Sequence, residues 1–185
     1  MHLTSDEVNV IEILPGGVVT KKAAAHIQLD ENGEFVRNPK EDLVKVAVVE
    51  RHQGTGNVAC GFLKGYGIKE GAVALSVAHD SHNIIVVGVN DEEMEFAVNS
   101  LIAQEGGIVL VKEGKVIEQM PMPIAGLMSD QSGEWVDEKL TSIHEKAYTE
   151  LGICGDVEPV MTLCFMSLAV IPEIKLTDMG LFDVT

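Results

Sequence analysis

The stretch AVALSVAHDSHNIIVVGV, residues 72–89, decides how this chain folds. Its two ends, 72–78 and 84–89, are apolar and rich in β-branched residues. That composition suits strands buried on both faces. Between them sits a polar knot, HDSHN, carrying His79, Asp80, His82 and Asn83. The next segment, NDEEMEFAVNSLIAQEGG (90–107), reads as a helix. Asn90 and Glu93 form a capping-box pattern, and Met94, Ala97, Val98, Leu101 and Ile102 form one apolar stripe. Gly106 and Gly107 supply the stop. Strand, polar turn, strand and amphipathic helix is the grammar of a layered domain.

Outward from this centre the same grammar continues. LVKVAVVE (43–50) is nearly continuous in apolar character and reads as a central strand. Upstream, residues 8–14, 18–22 and 25–29 read as short strands, separated by PGG (15–17) and DENG (30–33). GIVLVK and KVIEQMPM flank Glu113-Gly114 as a hairpin. A second helix is expected over 134–151, with Val136, Leu140, Ile143, Ala147 and Leu151 on its apolar face. Residues 160–171 fit either a buried helix or a buried strand, followed by a turn-rich tail. The expected fold class is α/β, a layered mixed β-sheet with flanking helices preceded by short β segments. The division expected is 1–40 for those segments and 41–185 for the α/β domain.

RHQGTGNVACGFLKGYGIKEG (51–71) holds six glycines. It lacks the spacing of a dinucleotide-binding loop and has no GK[ST], so the expectation is a loop plus a short helix near 57–66. The chain carries 29 acidic and 13 basic residues, for a net charge of −16. Two of the basic residues are arginines, Arg37 and Arg51. A phosphate-neutralising face needs clustered lysine and arginine, so nucleic acid is not an expected partner. No apolar run is long enough to span a bilayer, and the N-terminus lacks a secretory pattern. Cys60, Cys154 and Cys164 show no CxxC spacing and fit free thiols in a reducing cytoplasm.

Three readings of the knot are open. Asp80, Ser81 and Asn83 suit a hydrogen-bonded turn. His79, Asp80 and His82 suit acid–base work near neutral pH. A metal site would require a third ligand, such as His52 or Glu50. In a continuous strand His79 and His82 point to opposite faces, so they converge only if the backbone turns. Arg51, at the end of the 43–50 strand, occupies a common ligand position or pairs with a nearby acid.

Longer words carry a resemblance. The stretches RHQGTGNVACGFLKGYGIKEGAVALSVAHDSHNIIVVGVNDEEM (51–94), PMPIAGLMSD (121–130) and EPVMTLCFMSLAVIPEIKLTDMGLFDV (158–184) resemble the C-terminal region of bacterial and archaeal adenine deaminases. VIEILPGGVVTKK (10–22) resembles the segment that follows the catalytic barrel in that family. The resemblance implies the amidohydrolase superfamily and the hydrolysis of adenine to hypoxanthine and ammonia in purine salvage. It implies a divalent manganese or iron centre in a barrel N-terminal to this region. This chain has no His-x-His and is too short for eight βα units. The family's metal ligands therefore map onto no position here, and no cofactor is expected in this chain. Two roles for this chain stay open: a structural or oligomerisation domain in which the knot only stabilises a turn, or a part that closes the active site or contacts substrate, with His79, Asp80 and His82 as the candidate catalytic residues. Arg51, His52 and Asn83 are the candidate substrate contacts. The partners expected are the barrel, adenine and, through exposed apolar surface, a second copy as a homodimer.

Overall fold

The computed structural model describes residues 3–16 and 18–184. Gly17, the last residue of the PGG turn, lies outside the described residues. The strands are β1 (Glu7–Ile13), β2 (Thr20–His26), β3 (Gln28–Leu29), β4 (Phe35–Val36), β5 (Leu43–Val49), β6 (Val58–Lys64), β7 (Ala72–Leu75) and β8 (Ile84–Gly88). They continue with β9 (Gly107–Lys112), β10 (Lys115–Pro121), β11 (Ile174–Thr177) and β12 (Gly180–Asp183). The helices are α1 (Asp91–Ala103), α2 (Gly133–Thr149) and α3 (Pro159–Cys164).

Eight strands form one sheet in the order β10-β9-β7-β8-β5-β6-β1-β2. The sheet is mixed, because β1 runs parallel to β6 while the other pairs are antiparallel. The protein is mostly β, with three helices among the described residues. β3–β4 and β11–β12 are separate hairpins. Among the described residues no helix is long and apolar enough to cross a membrane.

Alternation along each strand sends its side chains into two layers. Val44, Val46 and Val48 of β5 join Val73, Ile85 and Leu110 on one face, covered by Ile143 and Ala147 of α2 and by Leu163 and Met166. Ala47, Ala74, Val86 and Val109 point to the other face and meet Met94, Ala97 and Leu101 of α1. The alanines let α1 lie close to the sheet. Each larger aliphatic side chain buried this way contributes about 1.5–3 kcal/mol. α1 starts at Asn90, whose side chain accepts from the Glu93 amide at 2.8 Å. α2 starts at Ser132 and is pinned to β10 by Glu118, which accepts from Lys139 at 2.9 Å and Ser142 at 2.5 Å.

Three local expectations change. The short helix near 57–66 is instead strand β6, which pairs with β5 along its whole length and with β1 on its other edge. Gly61 within it faces Leu176 and Leu181 of the C-terminal hairpin, where a Cβ would stand at ordinary contact distance. The 72–78 strand ends at Leu75, where Ser76 leaves the ladder. The turn-rich tail contains the β11–β12 hairpin, and the 160–171 segment is a helix for its first turns only.

β11 brings a lysine inside. Lys175 is fully buried, and its ammonium donates to the Val18 carbonyl at 2.6 Å. Beside it Thr20 Oγ1 donates to the Ile174 carbonyl at 2.8 Å, tying the C-terminal hairpin to β2. Burial pulls the Lys175 amine down from 10.5 to about 8. Below pH 8 the amine is protonated in both the folded and the unfolded chain, and the buried charge opposes folding by on the order of 3 kcal/mol. Between about 8 and 10.5 the unfolded chain binds the extra proton, so stability rises with pH. We therefore expect wild-type stability, measured by urea unfolding against Lys175→Met, to rise by on the order of 3 kcal/mol over that window. A pH-independent difference between the two proteins would refute this account of Lys175.

Candidate functional site

Strand register gathers the polar loops. Val49 pairs with both Val58 and Ile84, Leu75 with Ile85 and Ile108, and Pro121 with Gly107. The loops 50–57, 76–83 and 121–132 therefore leave the same end of the sheet. The knot lies in the middle of the three.

The backbone turns sharply within the knot. His82 N–H donates to the Ala78 carbonyl at 2.6 Å, and His82 adopts φ +54, a left-handed conformation uncommon for a residue with a Cβ. The His79–Asp80 peptide is cis. This turn brings together the rings that a continuous strand would separate: His79 and His82 lie 5.4 Å apart, edge to face. His79 is further held by Phe165, whose ring is 4.8 Å away. The His79 amide donates to Cys164 O at 2.9 Å, and its carbonyl accepts from Ser167 Oγ at 3.2 Å. Both histidines are half-buried, while Asp80 and Ser81 stand exposed at the tip.

His82 Nδ1 accepts from the Ala78 amide at 3.2 Å. The neutral ring therefore carries its proton on Nε2. Burial lowers the His82 pKa, and His79, Arg51 and His52 nearby push it the same way against the opposing pull of Asp80. His82 thus stays neutral to lower pH than an ordinary histidine. A neutral imidazole with a fixed tautomer can donate at Nε2 without first losing a charge.

Arg51 binds the loops to one another. Its Nε donates to His82 O at 2.6 Å and one terminal nitrogen donates to Ala125 O at 2.8 Å. Its backbone amide donates to the Asn83 side chain at 3.3 Å. The guanidinium lies flat on Gly126, where a Cβ would stand 3.0–3.1 Å from it on a backbone with φ +73. Ser76 Oγ holds the same glycine from below, donating to Gly126 O at 2.5 Å while accepting from Gly107 N at 2.8 Å. Arg51 is thus bonded to carbonyl oxygens rather than to an acid.

Of the other expected residues, His52 is exposed and its Nε2 contacts Ser81 O at 2.7 Å. Asn83 is buried and receives the Arg51 amide. Glu50 turns into its own loop. It accepts from the amides of His52 at 2.5 Å, Gln53 at 2.8 Å and Thr55 at 3.0 Å. The Thr55 amide above all, with those of Gln53 and His52, holds its carboxyl down to about 2. Glu50 is therefore not turned toward the two histidines. Among the described residues no group of three or more histidine, cysteine, aspartate or glutamate side chains is placed to hold a metal ion.

Phe165, Ser167, Ser76 and Gly126 were not among the residues that sequence reasoning singled out. Residues 165 and 167 lie more than eighty positions from the knot, inside an apolar run. The one local signal for Gly126 is its place beside Ala125, shortly after the second proline of PMPIAGLM.

The chain belongs to the adenine deaminase C-terminal domain family, whose model matches residues 17–185. Over its whole length it is 69% identical to adenine deaminase 2 of Desulfotalea psychrophila. It is 50% identical to the adenine deaminase of Ligilactobacillus salivarius and 47% identical to that of Halalkalibacterium halodurans, again with the whole chain covered. In each case it covers 32% of the relative, so the chain spans about a third of the length of these curated proteins.

Removing the Arg51 staple has two expected effects. Arg51→Met loses two charge-assisted hydrogen bonds and should destabilise the fold by roughly 2–3 kcal/mol in urea unfolding. It should also raise the His82 titration midpoint followed by NMR, because a nearby positive charge is removed and water gains access. An unchanged midpoint would show that Arg51 does not set the electrostatics of the ring.

Proposed function

We propose that this chain acts as the C-terminal part of an adenine deaminase, which hydrolyses adenine to hypoxanthine and ammonia. In this reading the knot end of the sheet closes over an active site whose metal centre is built by the rest of the polypeptide. The observation that carries it is the pairing of His79 and His82. Two imidazoles stand 5.4 Å apart and half-buried, one on a left-handed backbone and clamped by an arginine. A turn alone does not need two imidazoles packed edge to face or a residue with a Cβ at positive φ.

His82 is the group we assign to a hydrogen bond with the purine, donated by its Nε2–H. His79 packs beside it and orients the ring. Asp80, exposed at the tip, is the third member of the catalytic assignment. Arg51, His52 and Asn83 are bonded to backbone or side-chain partners within the loops, so their role is to position the knot. Closure of such a lid excludes bulk water and strengthens the electrostatics beneath it. No step of metal chemistry is assigned to residues of this chain.

A second reading has its own support. Because Arg51, His52 and Asn83 all hold loop partners, the knot is also a well-satisfied structural corner. Mutation separates the two. In the full-length polypeptide, His79→Ala or His82→Ala should lower adenine turnover by about a hundredfold, the scale of a positioned acid–base group, with the fold intact. Near-wild-type turnover in both variants would favour the structural reading. For the 185-residue chain alone we expect no measurable adenine deamination; ammonia release from adenine by the purified chain would overturn the assignment of the metal centre to the remaining polypeptide.

A further inference from the structure

The sheet is covered unequally. On the face that carries α1, the helix lies over β7, β8 and β9, where Ala72, Ala74, Val86 and Val109 meet it. At the other end of the same face the β3–β4 hairpin packs Phe35 on Phe62, with ring centres 5.0 Å apart. Between them β5 and β6 present Ala47, Val49, Val58 and Cys60 as the floor of an apolar groove of about 350 Å³. Met94 and Val98 of α1 form its wall. Val58 remains 55% exposed at its mouth, and Ile102, one turn beyond Val98, is 56% exposed. The Lys45–Asp91 ion pair, at 2.8 Å, closes the inner end.

We propose that this groove is the seat of an apolar segment belonging to the two-thirds of the longer adenine deaminases that lies outside the matched region. The inference rests on the family reading above. Two adjacent strands span about 10 Å, the width at which a second helix packs beside α1. The rim restricts the partner. Of the acids on α1, Glu95 lines the groove and Asp91 is paired there with Lys45, and the helix carries no basic residue in its last turn. A second copy of this chain, with net charge −16, would set the same acids against one another across a two-fold interface. The occupant that fits is an amphipathic segment with an apolar stripe flanked by lysine or arginine. The chain covers 32% of its curated relatives, which leaves a long polypeptide to supply it.

Cys60 in the floor reports occupancy directly, and the exposed Cys154 serves as reference. The experiment compares maleimide labelling of the 185-residue chain with that of a chimera. In the chimera, this chain replaces the matching third of the Desulfotalea psychrophila adenine deaminase 2. Val58→Cys, made in parallel, places a second thiol at the mouth. We expect labelling at 58 and 60 to slow by at least about tenfold in the chimera, with Cys154 unchanged. Val98→Glu should restore labelling of Cys60 in the chimera without changing the unfolding of the 185-residue chain. Equal labelling in a chimera that deaminates adenine would overturn the proposal and leave the family reading standing. Free labelling in a chimera that does not deaminate adenine would count against both. Protection that grows with the concentration of the 185-residue chain would assign the groove to a second copy and overturn the proposal.

Discussion

The central strands β5, β7 and β8 bury both faces, and this constraint organises everything around them. A strand buried twice leaves little room for polar side chains along its length, and the one in β5, Lys45, is paired with Asp91; the backbone groups are satisfied by neighbouring strands. Polar chemistry is therefore displaced to the strand ends. Residues that leave the ladder there must find hydrogen bonds without the sheet's help. The knot, the Glu50 loop and the proline loop satisfy that need among themselves.

Arg51 shows how the need becomes a site. Its guanidinium donates to carbonyls of two loops, those of His82 and Ala125, which Ser76 Oγ also joins through Gly126 O. A lysine in its place would offer a point charge rather than a planar fork. The plane requires a flat neighbour, and Gly126 is the residue with no Cβ to obstruct it. With the His82 carbonyl held, the ring of His82 is fixed in direction and tautomer and lies against His79. The same bonds that satisfy a corner orient an imidazole. This is why a structural and a chemical role for the knot rest on one set of contacts.

The uneven covering of the sheet belongs with the family's arithmetic. One face is closed by α2 and by the segment that includes α3. The other is closed by a single helix and a small hairpin, leaving β5 and β6 partly bare. The chain spans about a third of the length of these relatives and carries an apolar groove on its central sheet.

The sequence by itself determined the periodic elements. The runs read at 43–50, 72–78 and 84–89, which fold as strands over 43–49, 72–75 and 84–88, the helix after Asn90 and the hairpin at Glu113-Gly114 are legible because β-branched runs, capping residues and glycine stops act locally. The words shared with adenine deaminases were legible for a different reason, since they span most of the chain. The stretch around β6 reads as a loop and short helix because of its glycines; its pairing with β5 and β1, two distant segments, makes it a strand. The tertiary structure alone decided that His79 and His82 face each other, that Arg51 bonds to carbonyls rather than to an acid, and that Phe165 and Ser167 hold the knot from the far end of the chain. Those facts depend on which loops the strand register brings to one edge of the sheet. Register is a property of pairing between distant segments, and no local pattern of residues encodes it.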